Sequence, residues 1–148
     1  MRSYFQKINY IQFYFMKKPL DILLIEDDMD DVDLLKDALD ENKVLYQMEV
    51  IMEGDKVYKY LTDADVLPEI IVMDLNLPKT SGKQVLMEIK SFSPFTKIPI
   101  VVLTTSSAKN DIDYCNSMGI SKFITKPATI DGWNTTIDSI INIALGQN

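Results

Sequence analysis

The 148-residue sequence predicts an open, doubly wound α/β fold, a five-stranded parallel sheet flanked by five helices. Three observations predict it. Short apolar runs alternate with segments of helical spacing along the whole chain. Most of these runs are continuously apolar, as strands buried on both faces are. Parallel neighbours need crossover connections, and the intervening helical segments supply them.

The elements follow in order. The first run, Asp21 to Ile25, precedes a stripe of Val32, Leu35 and Leu39 that begins after Asp28 and has the spacing of one helix face. Tyr46 to Ile51 alternates more, as a strand with one polar face does, and Val57, Tyr60 and Leu61 form the next helical stripe. Ile70 to Met73 is the third strand, and Val85, Leu86 and Ile89 mark the helix after it. Ile98 to Leu103 is the fourth, followed by Ile112, Cys115 and Met118 at helical spacing. Phe123 to Thr125 completes the sheet, and Trp133, Ile137, Ile140, Ile141 and Ala144 line the last helix. Gly54, Gly82 and Gly119 fall at turns or helix ends, and Pro68, Pro78, Pro94, Pro99 and Pro127 fall outside helix interiors.

Composition narrows the function. The length suits one domain with one core, assigned to residues 18–148. An excess of 22 acidic over 15 basic residues repels a phosphate backbone, so no nucleic-acid partner is expected. The absence of histidine removes Ser-His-Asp and Cys-His catalysis and imidazole metal sites. Cys115, the single cysteine, has no disulfide partner within the chain, which fits a reducing cytoplasm, and it reads as a small residue on a helix. Residues 1–17 are an N-terminal extension, too polar and short to span a bilayer. An interfacial anchor, an oligomerisation arm, a disordered tail and a start codon called too early are the readings open to it. The last is favoured, because Met16-Lys17-Lys18-Pro19 makes a normal beginning just before the first strand. No membrane partner is expected.

In a doubly wound sheet, ligands bind outside the carboxyl ends of the strands. The residues after each run therefore matter most. They are Glu26, Asp27 and Asp28 after the first, Asp74 after the third, Thr104, Thr105 and Ser106 after the fourth, and Lys126 and Pro127 after the fifth. Clustered carboxylates repel one another unless a cation offsets them. An oxygen-only ligand set favours a hard ion, and Mg²⁺ is the cellular one that keeps waters and expects a phosphate oxygen. Asp74 then suits a nucleophile that forms an acyl phosphate, with Lys126 balancing phosphoryl charge and Thr104 donating a hydrogen bond to the product.

Four strings, Leu24-Ile25-Glu26-Asp27-Asp28, Val72-Met73-Asp74-Leu75-Asn76-Leu77-Pro78, Val102-Leu103-Thr104-Thr105 and Phe123-Ile124-Thr125-Lys126-Pro127, together resemble the response-regulator receiver family. The resemblance runs from about Leu20 to Leu145 and looks most like the stand-alone receivers associated with phytochrome-type sensor kinases. It implies a flavodoxin-like or CheY-like sheet of strand order 2-1-3-4-5. It makes Asp74 the phosphoacceptor, with Asp27 and the Asn76 backbone carbonyl on Mg²⁺ and Glu26 acting through water. Thr104 becomes the switch hydroxyl, Lys126 the phosphoryl-binding lysine, and Lys126–Pro127 a candidate cis peptide. Phe123 takes the aromatic switch position, and Asn76, Thr105 and Ser106 become tuners of acyl-phosphate lifetime.

Simpler roles compete at several positions. Asp28 reads as a helix cap, and Asp30, Asp31 and Asp33 as a solvated helix start. Phe123 is core first and switch second. Met48, Met52, Met73, Met87 and Met118 read as gap-filling core or interface, and Trp133 as an anchor for the last helix.

The expected function is phosphoryl acceptance from a sensor histidine kinase or phosphotransfer protein, then self-hydrolysis. The chain is otherwise not an enzyme. Output is expected through contact with a downstream protein, at the surface made by the last two helices and strand. Homodimerisation through the final helix is a further expectation, from Ile137, Ile140, Ile141, Ile143 and Leu145. The alternatives are a phosphorylation-independent pseudo-receiver scaffold and a Mg²⁺-dependent phosphohydrolase. The latter usually has a second carboxylate two residues after its nucleophile, where this chain has Asn76.

Overall fold

The computed structural model describes residues 18–146, so every reading of residues 1–17 lies outside the described residues. Strand β1 (Leu20–Ile25) leads to helix α1 (Met29–Glu41), β2 (Tyr46–Ile51) and, after a single 3₁₀ turn, α2 (Val57–Asp63). Then come β3 (Ile70–Met73), α3 (Gly82–Ser91), β4 (Ile100–Thr104), α4 (Lys109–Ser117), β5 (Lys122–Thr125) and α5 (Ile130–Ala144). All pairings are parallel, and the strand order is β2-β1-β3-β4-β5, as expected.

Side chains alternate across the sheet and split the core into two layers. Ile22, Leu24, Ile70, Val72, Val101 and Leu103 face α1 and α5, where Val32, Leu35, Leu39, Trp133, Ile137, Ile140 and Ile141 meet them. Leu23, Ile25, Ile71, Met73, Ile100 and Val102 face α2, α3 and α4, through Val57, Leu61, Val85, Leu86, Ile89 and Cys115. β1, β3 and β4 are covered on both sides, and the edge strands β2 and β5 are partly exposed. That difference in burial is why the central runs are apolar except for Asp21 in β1 and Thr104 at the end of β4, and why β2 alternates.

β4 starts at Ile100, two residues later than the expected Ile98, and ends at Thr104. Pro99 has no N–H for the ladder, and the Ile98 amide instead closes a turn onto the Phe95 carbonyl at 3.1 Å. Thr104 belongs to the strand because it pairs with Thr125. Met118 lies just past the end of α4, half-buried, and Cys115 is the fully buried residue of that helix. Among the methionines, Met73 is buried, Met48 and Met118 pack partly against the core, and Met52 and Met87 are exposed. Of the residues named for dimerisation, Ile137, Ile140 and Ile141 are spent on the core, and Ile143 and Leu145 pack partly against it. Among the described residues no helix is long and apolar enough to cross a membrane.

Candidate functional site

The parallel arrangement brings every strand's carboxyl end to one edge of the sheet. Main-chain bonds fix these ends to one another. The Asp74 amide donates to Ile25 O at 3.0 Å, Glu26 N to Ile51 O at 3.1 Å, and Lys126 N to Thr104 O at 2.8 Å. Glu26 and Asp74 are buried, whereas Asp27 is exposed. One carboxylate oxygen from each of Glu26, Asp27 and Asp74 lies within 4.8 Å of the others.

Lys126 reaches into this group from the loop after β5. Its ammonium lies 2.6 Å from Asp31 Oδ2, 2.7 Å from Glu26 Oε1 and 2.8 Å from Asp74 Oδ2. Three carboxylate acceptors meet the three protons of one nearly buried ammonium. Burial pushes the lysine's pKa down, but hydrogen bonds to Asp31, Asp74 and Glu26 outweigh it and hold the ammonium well above its ordinary range. Burial pushes the Glu26 carboxyl up, partly offset by Lys126 and by the Asp28 amide, which donates to Oε2 at 3.2 Å. The second Asp74 oxygen, Oδ1, accepts from the Asn76 amide at 3.1 Å.

Thr104 is fully buried at the end of β4, and its hydroxyl accepts from the Ser106 amide at 3.4 Å. Thr105 is exposed, and Ser106 donates its hydroxyl to Asp111 Oδ2 at 2.5 Å. Phe123 is half-buried on β5 opposite Val102 and packs with the second layer, as a core residue first. Asp28 caps α1, accepting from Asp30 N at 2.9 Å.

The chemistry of the donor set fits a hard divalent cation. It is all oxygen, and four carboxylates (Glu26, Asp27, Asp31 and Asp74) gather near a single ammonium.

Comparison with known proteins agrees with this geometry. Residues 22–138 match the response regulator receiver domain. The chain belongs to the response-regulator receiver family. This receiver is 31% identical over 134 residues to the probable methanogenesis regulatory protein FilR2 of Methanothrix harundinacea, covering 88% of the chain and 86% of that protein. It is 32% identical over 113 residues to response regulator Rcp1 of Synechocystis, covering 73% of the chain and 77% of Rcp1. The crystal structure of the Mn²⁺-bound form of Rcp1 superposes with a TM-score of 0.74 at 29% identity, covering 84% of this chain and 93% of that one. The phosphorylated cyanobacterial phytochrome response regulator RcpA superposes with a TM-score of 0.78 at 32% identity, covering 86% and 95% of the two chains. A receiver is a module of two-component signalling.

Two expectations need correction. The Lys126–Pro127 bond is trans, and no peptide among the described residues is cis. Trans is the form an X–Pro bond adopts unless its surroundings overcome a preference of about 0.5–1 kcal/mol. Asp31, read as part of a solvated helix start, is instead half-buried and holds Lys126. Nothing in the sequence set it apart, since it is one of two acidic residues in the first turn of α1.

Proposed function

We propose that this receiver accepts a phosphoryl group on Asp74 from the phosphohistidine of a sensor kinase or phosphotransfer protein. The observation that carries the proposal is the contact of Asp74 Oδ2 with Lys126 Nζ at 2.8 Å, beside a carboxylate group gathered within 4.8 Å. An Asp74 carboxylate oxygen attacks phosphorus, the donor's N–P bond breaks as the new O–P bond forms, and the departing imidazole keeps the electron pair and takes a proton. Asp27, Asp74 and the Asn76 carbonyl would hold Mg²⁺, with Glu26 acting through water. Bound there, the ion would neutralise charge on the phosphoryl oxygens.

Lys126 turns from the Asp74 carboxylate to the phosphoryl oxygens. Thr104 gives up its long bond from Ser106 and donates its hydroxyl to the product, and Phe123 moves into the space vacated. Asn76, Thr105 and Ser106 border the approach of water and set the lifetime before self-hydrolysis. Transmission is by protein contact in the cytoplasm. A homodimer through α5 would draw on Ile143, Leu145 and the exposed Ile130.

The test is intact mass after incubation with acetyl phosphate and Mg²⁺. Wild type should gain one phosphoryl group, and chelation or Asp74→Asn should abolish the gain. Equal labelling of Asp74→Asn would move the acceptor elsewhere. Failure of the wild type to bind either Mg²⁺ or beryllofluoride would favour a phosphorylation-independent scaffold.

A further inference from the structure

Two of the three carboxylates on Lys126, those of Glu26 and Asp74, belong to the group within 4.8 Å that suits a divalent cation. Ammonium and metal therefore draw on the same two carboxylates. Asp31 stands apart. It makes the shortest of the three contacts, 2.6 Å, and is not a member of that group. Its side chain is 24% exposed, so it retains solvation that Glu26 and Asp74 have lost.

We infer that Asp31 is a positioning residue for Lys126, the carboxylate that keeps the ammonium when a divalent cation takes over Glu26 and Asp74. This rests on the metal and phosphoryl roles proposed above. Without Asp31, a lysine displaced by the cation would have no carboxylate left among its present partners. Its displacement would cost more, and cation binding would weaken. With Asp31, the displaced ammonium keeps one charge-assisted hydrogen bond and stays beside Asp74, where the phosphoryl oxygens arrive.

Calorimetric titration of Mg²⁺ into the full chain tests this with Asp30→Asn, Asp31→Asn, Lys126→Ala and the Asp31→Asn/Lys126→Ala double variant. Asp31→Asn should weaken Mg²⁺ binding about tenfold, roughly 1.4 kcal/mol. Asp30→Asn removes the same charge from an exposed side chain of the same turn and should change it by only about twofold, as a screened surface charge does. Lys126→Ala removes the competitor and should bind Mg²⁺ more tightly than wild type. On that background Asp31→Asn should lose most of its effect, since no ammonium remains to be held.

A loss with Asp31→Asn no larger than with Asp30→Asn would overturn the inference. So would an equal loss with and without Lys126, which would reduce Asp31 to a diffuse charge. Unchanged or weaker binding by Lys126→Ala would remove the competition on which it rests, and that variant leaves Asp31 intact. Wild type that binds no Mg²⁺ would bring down the functional proposal as well, whereas normal wild-type binding with no coupling brings down this inference alone.

Discussion

Gly82 is the position where packing and chemistry meet most closely. It is the first residue of α3, its amide donates to Leu75 O at 2.9 Å, and Ser81 caps the helix by accepting from Gln84 N at 3.3 Å. A Cβ there would sit 2.4 Å from Leu75 Cα, 2.6 Å from Asp74 O and 2.9 Å from Leu75 O. Carbon pairs rest at about 3.5–4.0 Å, so Gly82→Ala must push the start of α3 away from the Asp74–Leu75 peptide by about 1 Å. The opposing atoms are backbone and cannot rotate aside. Overpacking of this kind costs about 1–3 kcal/mol. Alanine's advantage over glycine in helices returns at most about 1 kcal/mol. The net loss is up to about 3 kcal/mol and centred on about 1.5 kcal/mol, a fall in melting temperature of roughly 3–10 °C for a domain of this size. Because the displaced peptide carries Asp74, the Mg²⁺ affinity proposed for that site should fall too. Circular dichroism melts with and without Mg²⁺ measure both effects. Gly119→Ala is the control, with nothing within 4 Å of its Cβ and a φ of +76°. It should lose about 1–2 kcal/mol of stability through its backbone alone and keep its Mg²⁺ affinity. A Gly82→Ala variant that melts like wild type and binds Mg²⁺ normally would refute the steric argument.

Other outcomes follow from burial and charge. Ile140→Ala, at a fully buried position between α5 and the sheet, should cost about 2–5 kcal/mol by urea denaturation. Leu34→Ala, at a position 46% exposed, should stay within about 0.5 kcal/mol. Cys115 is buried, and burial pushes its thiol pKa up, so a disulfide reagent should label it slowly in native protein and at once in denaturant. Fast native labelling would contradict the packing of α4. Lys83 at 2.6 Å and the Ser106 hydroxyl hold the Asp111 carboxyl below its ordinary range. A lowered folded-state value stabilises above the unfolded pKa and is lost as pH falls through the folded one. The stability gap between wild type and Asp111→Asn should therefore narrow from pH 7 toward pH 3, and a gap that widens would reverse the assignment.

The sequence revealed most where burial was most complete. β1, β3 and β4 are covered on both faces, so their runs are apolar but for Asp21 near the start of β1 and Thr104 at the end of β4, and their bounds moved by two residues at most, at Pro99. β5 is an edge strand with half-exposed residues, and its run, read as Phe123 to Thr125, was the shortest and begins one residue earlier, at Lys122. Glu26, Asp74, Thr104 and Lys126 could be gathered from sequence because parallel strands put all their carboxyl ends on one edge. Asp31 could not. Its contact with Lys126 depends on how α1 leans over that edge, and hydrophobic periodicity fixes which face of a helix is buried but not its tilt. The trans Lys126–Pro127 bond was equally hidden, since either isomer carries the same residues.

On the proposed mechanism, the bonding around Thr104 determines where a signal leaves the site. The strand ends are tied by main-chain bonds of ordinary length, 2.8–3.1 Å, so side chains are the parts free to move first. Thr104 is held by a 3.4 Å bond from the Ser106 amide, near the limit at which a hydrogen bond is worth much. The Thr104 hydroxyl only accepts in that bond, so moving to donate to a phosphoryl oxygen gains a charge-assisted bond at the cost of a weak one. Ser106 then shifts, and its hydroxyl is fastened to Asp111 on α4, which Lys83 of α3 grips at 2.6 Å. Lys83 lies 5.5 Å from the Tyr114 ring centroid, and the Tyr114 hydroxyl donates back to Lys83 O at 3.1 Å. The chain of polar contacts from Asp74's neighbourhood thus runs out between α3 and α4. Output through α4, β5 and α5 alone would leave that link unused. Amide chemical shifts should register phosphorylation first on the α3 side of α4, and Ser106→Ala should remove that response while Asp74 is still phosphorylated.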